Sequence, residues 1–369
     1  MLSDYQVKQS SPRLFAPISL LTKNHPLKKD ARPMSSSAPK VSVIMPVING
    51  AEYLNVALDS VLAQDFDDFE VICVNDGSTD GTLALLASFD DPRIRIISQV
   101  SQGGAAARNT GIYFARGQYI ALIDWHDRWL KNKLSSHIAH LDSSARVGAS
   151  YSPSLFIDKQ GQLTGLGQFP RLYDIGLREV VCHNLIGNGS AAVIRRATLN
   201  KLNACSPVHE SGRICYFDET LRDAVKLDFW LKIALYSGLR VEGVSIPTTH
   251  VRDTAGKLPV SLAEQYASWL DVMAKYRSSH PARVNRWFSL AHAYQLRRLA
   301  LNASQTGETR LAFAYFFKAV FTNWRMVAET PGTTLIVAAS VCLSVLPRRY
   351  YRFFEARATK RLAKKQLAV

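Results

Sequence analysis

Acidic residues are in deficit: the 369-residue chain carries 30 Asp and Glu against 45 Lys and Arg, a formal net charge of +15. Such a surplus implies an anionic partner, which by charge alone could be nucleic acid, an anionic membrane surface or a phosphorylated substrate. Cysteine is sparse as well. Cys73, Cys182, Cys205, Cys215 and Cys342 are scattered, odd in number and without Cys-x-x-Cys spacing, which argues against a zinc ribbon or disulfide framework and fits a reducing compartment. No Gly-x-Gly-x-x-Gly follows the first strand pattern and no Gly-x-x-x-x-Gly-Lys occurs, so the dinucleotide and P-loop phosphate cradles are both missing. No nucleic-acid recognition motif accompanies the basic residues. The apolar run Thr333 to Leu346 falls short of the ~20 residues a spanning helix needs. Residues 1–39, with only the mixed run Leu14 to Leu21, read as a mobile leader and not as a signal peptide.

What the chain has in quantity is apolar side chains, 47% of residues, enough for one large domain or two smaller ones. Order begins at Lys40. Val41 to Met45 reads as a strand ending at Pro46, followed by a turn at Asn49-Gly50 and a helix from about Ala51 to Gln64. Phe69 to Val74 repeats the pattern, and Asn75-Asp76-Gly77-Ser78-Thr79-Asp80-Gly81-Thr82 supplies a turn and cap for a helix over Leu83 to Phe89. A strand over Arg93 to Ile97, a helix over Gly103 to Ala115 and a strand over Tyr119 to Ile123 complete the series. Strands alternating with helices predict an α/β fold with a mostly parallel sheet covered on both faces.

Three loops then converge on the carboxyl edge of that sheet, where ligands collect in such folds. They are Pro46-Val47-Ile48-Asn49, Asn75-Asp76-Gly77-Ser78 and Asp124-Trp125-His126-Asp127. Asp124, His126 and Asp127 offer oxygen and nitrogen donors suited to Mn2+ or Mg2+. Gly103-Gly104 ahead of Arg108 gives close backbone approach and a permanent cation. A nucleotide would use such a crevice, with Asp76 accepting from the base and a metal neutralising a diphosphate. Each residue also has a plainer reading: Asp76 as a turn carboxylate, Arg108 as a solvated helix charge, His126 as a helix-capping or water-bridging histidine.

Four motifs in order, Val41 to Gly50, Asn75 to Thr82, Gly103 to Ile112 and Gly117 to Asp124, resemble family 2 glycosyltransferases. The resemblance implies a glycosyltransferase-A fold, a nucleotide-sugar donor (usually a UDP-sugar), a divalent cation and inversion at the anomeric carbon. It implies that Pro46, Val47, Ile48, Asn49, Asp76, Ser78, Gly104, Arg108 and Asp124 bind the donor, and that Asp124, His126 and Asp127 hold the metal. His126 stands where the family has a metal-binding carboxylate, and Ile48 where it usually has Tyr. Further on, Tyr216 to Arg222 and Asp228 to Lys232 resemble the family's acceptor-side segments. Val225 and Lys226 occupy the place of the acidic pair that supplies the general base. Lysine cannot do that work without a strongly lowered pKa, so Asp223, and after it Asp228, are the catalytic candidates.

The resulting division is a leader over 1–39, a nucleotide-sugar-binding half over 40–145, an acceptor-side half over 146–258 and a helical region over 259–369. In the second half, Val147 to Ser152 and Leu155 to Leu163 suggest a hairpin turning at Asp158 to Gly161. In the last, an apolar segment followed by basic and aromatic residues from Arg348 onward suits an anionic membrane surface. The expected activity is transfer of a hexose to a lipid-linked or saccharide acceptor in surface polysaccharide assembly, by a cytoplasmic protein peripheral on the inner face of the cell membrane. The alternative is a catalytically impaired nucleotide-sugar-binding partner of such a system.

Overall fold

The computed structural model describes residues 38–183, 186–253, 260–351 and 354; the leader, apart from residues 38 and 39, and most of the basic tail lie outside them. The chain opens with β1 (Val41–Val47), α1 (Leu54–Leu62), β2 (Phe69–Asp76), α2 (Thr82–Ser88), β3 (Ile94–Gln99), α3 (Gly104–Phe114) and β4 (Tyr119–Leu122). Every residue of β1, β2 and β4 is buried, as continuous apolar strands in a doubly covered parallel sheet must be. A short β5 (Arg128–Trp129) and α4 (Lys133–Ser143) lead to β6 (Val147–Tyr151), β7 (Ser154–Ile157) and β8 (Leu163–Gln168). There follow α5 (Leu177–Cys182), β9 (Ala192–Arg195), α6 (Arg196–Lys201), α7 (Val225–Lys232), β10 (Arg240–Gly243) and β11 (Thr249–Arg252).

Seven strands form the main sheet in the order β10-β6-β9-β4-β1-β2-β3. β9 runs antiparallel to β4 and β6, and the other neighbours are parallel. The expected hairpin is half right. β7 and β8 pair antiparallel around a turn at residues 158–161, but Val147–Tyr151 joins the main sheet. β7 and β8 belong instead to a second sheet ordered β5-β11-β7-β8. Residues 146–258 are thus split between two sheets, because β6 is buried throughout and continues the wide apolar sheet whereas β8 is a partly exposed edge.

Gly111 lets α3 lie flat on the sheet: a Cβ there would sit 2.3 Å from the Ile44 side chain. Asn109 beside it ties α3 to a distant segment, accepting from Phe217 N at 2.9 Å and donating to Phe217 O at 2.8 Å. The remaining chain is helical: α8 (Leu262–Ser279), α9 (Pro281–Thr306), α10 (Thr309–Thr322), α11 (Arg325–Glu329) and α12 (Pro331–Leu343). α8 starts on a capping box between Ser261 and Glu264, a device that satisfies two orphan donors of the first turn. These helices share a core with the α/β layer, in which Val180, Val181 and Leu231 pack with Trp269, Met273 and Leu290. Among the described residues no helix is long and apolar enough to cross a membrane.

Candidate active site

The three expected loops meet at the carboxyl edge of β1, β2 and β4. The first two are laced together: Asn49 N donates to Ser78 Oγ at 3.0 Å, and Thr79 N donates to Asn49 Oδ1 at 2.9 Å. Asn49 takes a positive φ of 46°, which Asn tolerates better than most residues. Gly50 follows because a Cβ there would lie 3.0 Å from the Trp125 ring and 2.9 Å from Val47. Pro46 and Val47 are the last residues of β1, and Ile48 is exposed beyond them.

Asp76 ends β2 and is buried. Its oxygens accept from Gln99 Nε2 at 2.8 Å, Gln102 N at 2.9 Å, Gly103 N at 2.8 Å and Ser101 Oγ at 3.4 Å. A carboxylate offers about four acceptor positions. Asp76 therefore fixes the loop ahead of α3, and a hydrogen bond to a base would require one of these partners to be released.

That loop delivers Gly104 and Arg108. Arg108 Nη1 donates to Gly104 O at 3.2 Å, and Nη2 lies 2.5 Å from Asp124 Oδ1. Burial works against the charge on Asp124, but Arg108, then Lys226 and His126, hold its carboxyl well below the usual carboxylate range. Asp127 goes the other way. It is almost wholly buried, its oxygens accept from Ser190 Oγ at 2.5 Å and Arg252 N at 3.0 Å, and burial followed by the nearby Asp124 charge raises its pKa. His126 Nε2 stands 3.8 Å from Asp127 Oδ1.

Asp124, His126 and Asp127 can present one ligand atom each within 4.8 Å of one another. Asp124 Oδ1 is engaged by Arg108 and Asp127 by Ser190 and Arg252, so Asp124 Oδ2 and the His126 imidazole are the two readiest donors. One carboxylate oxygen with one neutral imidazole suits Mn2+ better than Mg2+, and the residues fit a divalent cation on that chemistry.

Two members of this site, Ser190 and Arg252, carry no sequence signal of their own. Ser190 receives Asp124 N at 2.9 Å while donating to Asp127. Arg252 braces the motif from β11, its Nε donating to His126 O at 3.0 Å and its guanidinium lying 4.3 Å over the Tyr53 ring. Lys226 Nζ donates to Gly187 O at 3.2 Å, on the loop whose Gly189 faces Asp124 Oδ2. The lysine that replaces the expected acid thus helps to hold the wall of this crevice.

The two candidate bases part company. Asp223 precedes α7 and lines a cavity of about 380 Å3 whose wall also includes Arg108 and Lys226. Asp228 does not reach it. It is fully buried, with Lys232 Nζ at 2.9 Å, Lys275 Nζ at 2.8 Å and Tyr276 Oη donating at 2.8 Å. A carboxylate sealed between two ammonium groups has no route to an acceptor hydroxyl, so the expectation of a catalytic Asp228 is corrected to a structural ion pair. The residue faces the helical region, where Lys275 and Tyr276 of α8 meet it.

Comparison with known proteins agrees with this architecture. Residues 42–202 match the family model for glycosyl transferase family 2; the chain carries a domain of that family. A stretch of 247 residues, 66% of the chain, is 29% identical to an uncharacterised glycosyltransferase of Rickettsia bellii and spans 34% of that protein. The chain covers about a third or less of the first three curated relatives it matches. Over 100 residues, 27% of the chain and 40% of the relative, it is 36% identical to the UDP-Glc:alpha-D-GlcNAc-diphosphoundecaprenol beta-1,3-glucosyltransferase WfgD of Escherichia coli. Among solved structures, S. aureus TarS 1-349 in complex with UDP-GlcNAc aligns with a TM-score of 0.57 at 17% identity, covering 86% of this chain and 91% of that one. That likeness establishes the glycosyltransferase-A fold.

Proposed function

We propose that the protein is an inverting glycosyltransferase that moves a hexose from a UDP-sugar to a lipid-linked or saccharide acceptor in surface polysaccharide biosynthesis. The observation that carries this reading is the continuity of the Arg108–Asp124 pair with the cavity lined by Asp223. Donor machinery and the Asp223 carboxylate then face one another across a single space. The loops after β1 and β2 bind the nucleotide, and Arg108 takes up charge that develops on the leaving diphosphate. Asp223 accepts the proton of the acceptor hydroxyl, whose oxygen attacks the anomeric carbon as the bond to the donor phosphate breaks. Asp124 and His126, with Asp127 behind them, would hold a divalent cation that supplies Lewis-acid stabilisation to that diphosphate.

The exposed Phe317 and Phe321 lie one turn apart on α10, exposed Trp324 follows its end, and Leu335 and Ile336 project from α12. With Lys318, Arg325, Arg348 and Arg349 in the same region, this surface suits peripheral attachment to an anionic membrane where lipid-linked acceptors reside. The test is a screen of labelled nucleotide-sugars with membrane extract, with and without Mn2+. Metal-dependent UDP release coupled to labelled lipid supports transfer. Donor binding without turnover would leave the chain a nucleotide-sugar-binding partner.

A further inference from the structure

The cavity of about 380 Å3 lies where the α/β layer meets the following helices, and it is built from both. Its α/β side contributes Arg108, Asp223 and Lys226, and α9 contributes Gln295 and Arg298. Trp230 and Trp269 belong to an apolar wall between them. Cations outnumber the one lining carboxylate, Asp223. Arg108 is already matched to Asp124, Arg222 has Glu264 at 3.6 Å and Lys226 donates to Gly187 O, so Arg298 is the cation that rests on Asp223 alone. Arg298 makes no hydrogen bond or ion pair with any described residue, and Gln295 is 6% exposed with its Nε2 buried and without an acceptor among them. A buried amide donor without a partner costs about 1–3 kcal/mol, and beside a guanidinium that feels the Asp223 charge but makes no hydrogen bond it marks the place of an oxygen-rich anion.

We propose that this cavity binds the phosphoryl head of the lipid-linked acceptor, with Arg298 and Gln295 Nε2 donating to its oxygens and the Trp230–Trp269 wall receiving the first methylenes. The inference rests on the glycosyl-transfer reading and adds the acceptor's chemical class and its binding residues. The donor diphosphate belongs to the other side of Arg108, at the sheet edge. The acceptor head is held from α9, and its sugar lies between the two, toward Asp223. The helical region is therefore part of the substrate site and not only a membrane support.

The test uses the full chain and isothermal titration with undecyl diphosphate below its micelle concentration, undecyl maltoside as a neutral match, inorganic diphosphate as a headgroup match, and UDP with Mn2+. Undecyl diphosphate should bind at least about tenfold more tightly than either partial match, because charge-assisted hydrogen bonds and apolar contact add. Arg298→Ala and Gln295→Leu should each weaken that binding by about tenfold and leave UDP affinity unchanged. Gln295→Leu removes the orphan donor at similar volume, so its thermal stability should hold or rise, which separates a lost ligand from a lost fold. Equal binding of a partial match, displacement of undecyl diphosphate by UDP, or unchanged affinity in both variants would overturn the proposal. Failure of the wild type to bind UDP is a different result and would overturn the glycosyl-transfer reading instead.

Discussion

Asp124 at the sheet edge and Asp228 under α7 are both carboxylates held against cations, yet they serve opposite ends. Asp124 has Arg108 on one oxygen and leaves the other facing the Gly189 loop. Asp228 has Lys232, Lys275 and Tyr276 around it and is sealed from solvent. Pairing with a cation therefore does not mark a reactive carboxylate. What separates the two is an uncommitted oxygen on an accessible wall, which a ligand can use, against complete enclosure, in which charge serves packing between the α/β layer and the helices.

The sharpest way to break the comparison is Asp228→Ala. Removing one member of a buried ion network leaves the wholly buried Lys232 without its carboxylate, a loss of about 3–5 kcal/mol in unfolding free energy. Urea denaturation should show that loss while UDP affinity, measured on the folded fraction, stays near wild type. An undestabilised variant with lost turnover would instead return Asp228 to the active site. Asp124→Ala should do the reverse, lowering kcat/KM by about a hundred- to a thousandfold with little change in the urea midpoint. Full activity in that variant would remove Asp124 from the donor site.

The stretch over 40–145 was readable because each of its motifs is local. The β1–β4 alternation, the turn residues at Asn49-Gly50 and Asp76 to Thr82, and the Asp124 cluster each lie within a few residues and fall at one sheet edge once the strands are parallel. Even there the sequence could not separate roles within a motif: Arg108 faces Asp124, whereas Asn109 and Gly111 are spent on anchoring α3 to Phe217 and β1. The stretch over 146–258 was less legible because its contacts are long-range. Arg252 reaches Asp127 across 125 residues and Lys275 reaches Asp228 across 47, and no spacing rule encodes such meetings. Asp228 looked available because periodicity gives the face of a helix but not the helices that later cover it.

His126 sharpens the donor side of the comparison. An imidazole does not offset the charge of a bound cation, and it favours Mn2+ over Mg2+. Mn2+ should therefore strengthen UDP binding more than Mg2+ does in the wild type. His126→Asp should retain or improve turnover and narrow the difference between the ions, and His126→Ala should lose about tenfold in metal-dependent UDP affinity. Calorimetry with each ion reads this directly; identical ion dependence in all three proteins would take His126 out of the metal site.

The smallest effect separates Asp228 from its partly exposed neighbour in the same network. Asp218 shares Lys275 with Asp228 at 2.8 Å, but its side chain retains 15% exposure and that of Lys275 42%. Burial pushes the Asp218 carboxyl up, while Lys275 and Thr220 bring it down to about 2 from an ordinary 3.8. A folded-state pKa below the unfolded one means the stabilisation is present above the unfolded value and is lost as pH falls from near 4 toward 2. Discounted for the exposure of Lys275, the contribution is about 1 kcal/mol. Asp218→Asn should accordingly be less stable than wild type by about that amount at pH 7, and the difference should shrink as urea midpoints are followed from pH 4 to pH 2.5. A difference that stays constant over that range would mean that Asp218 acts through Thr220 and local packing instead of through its charge.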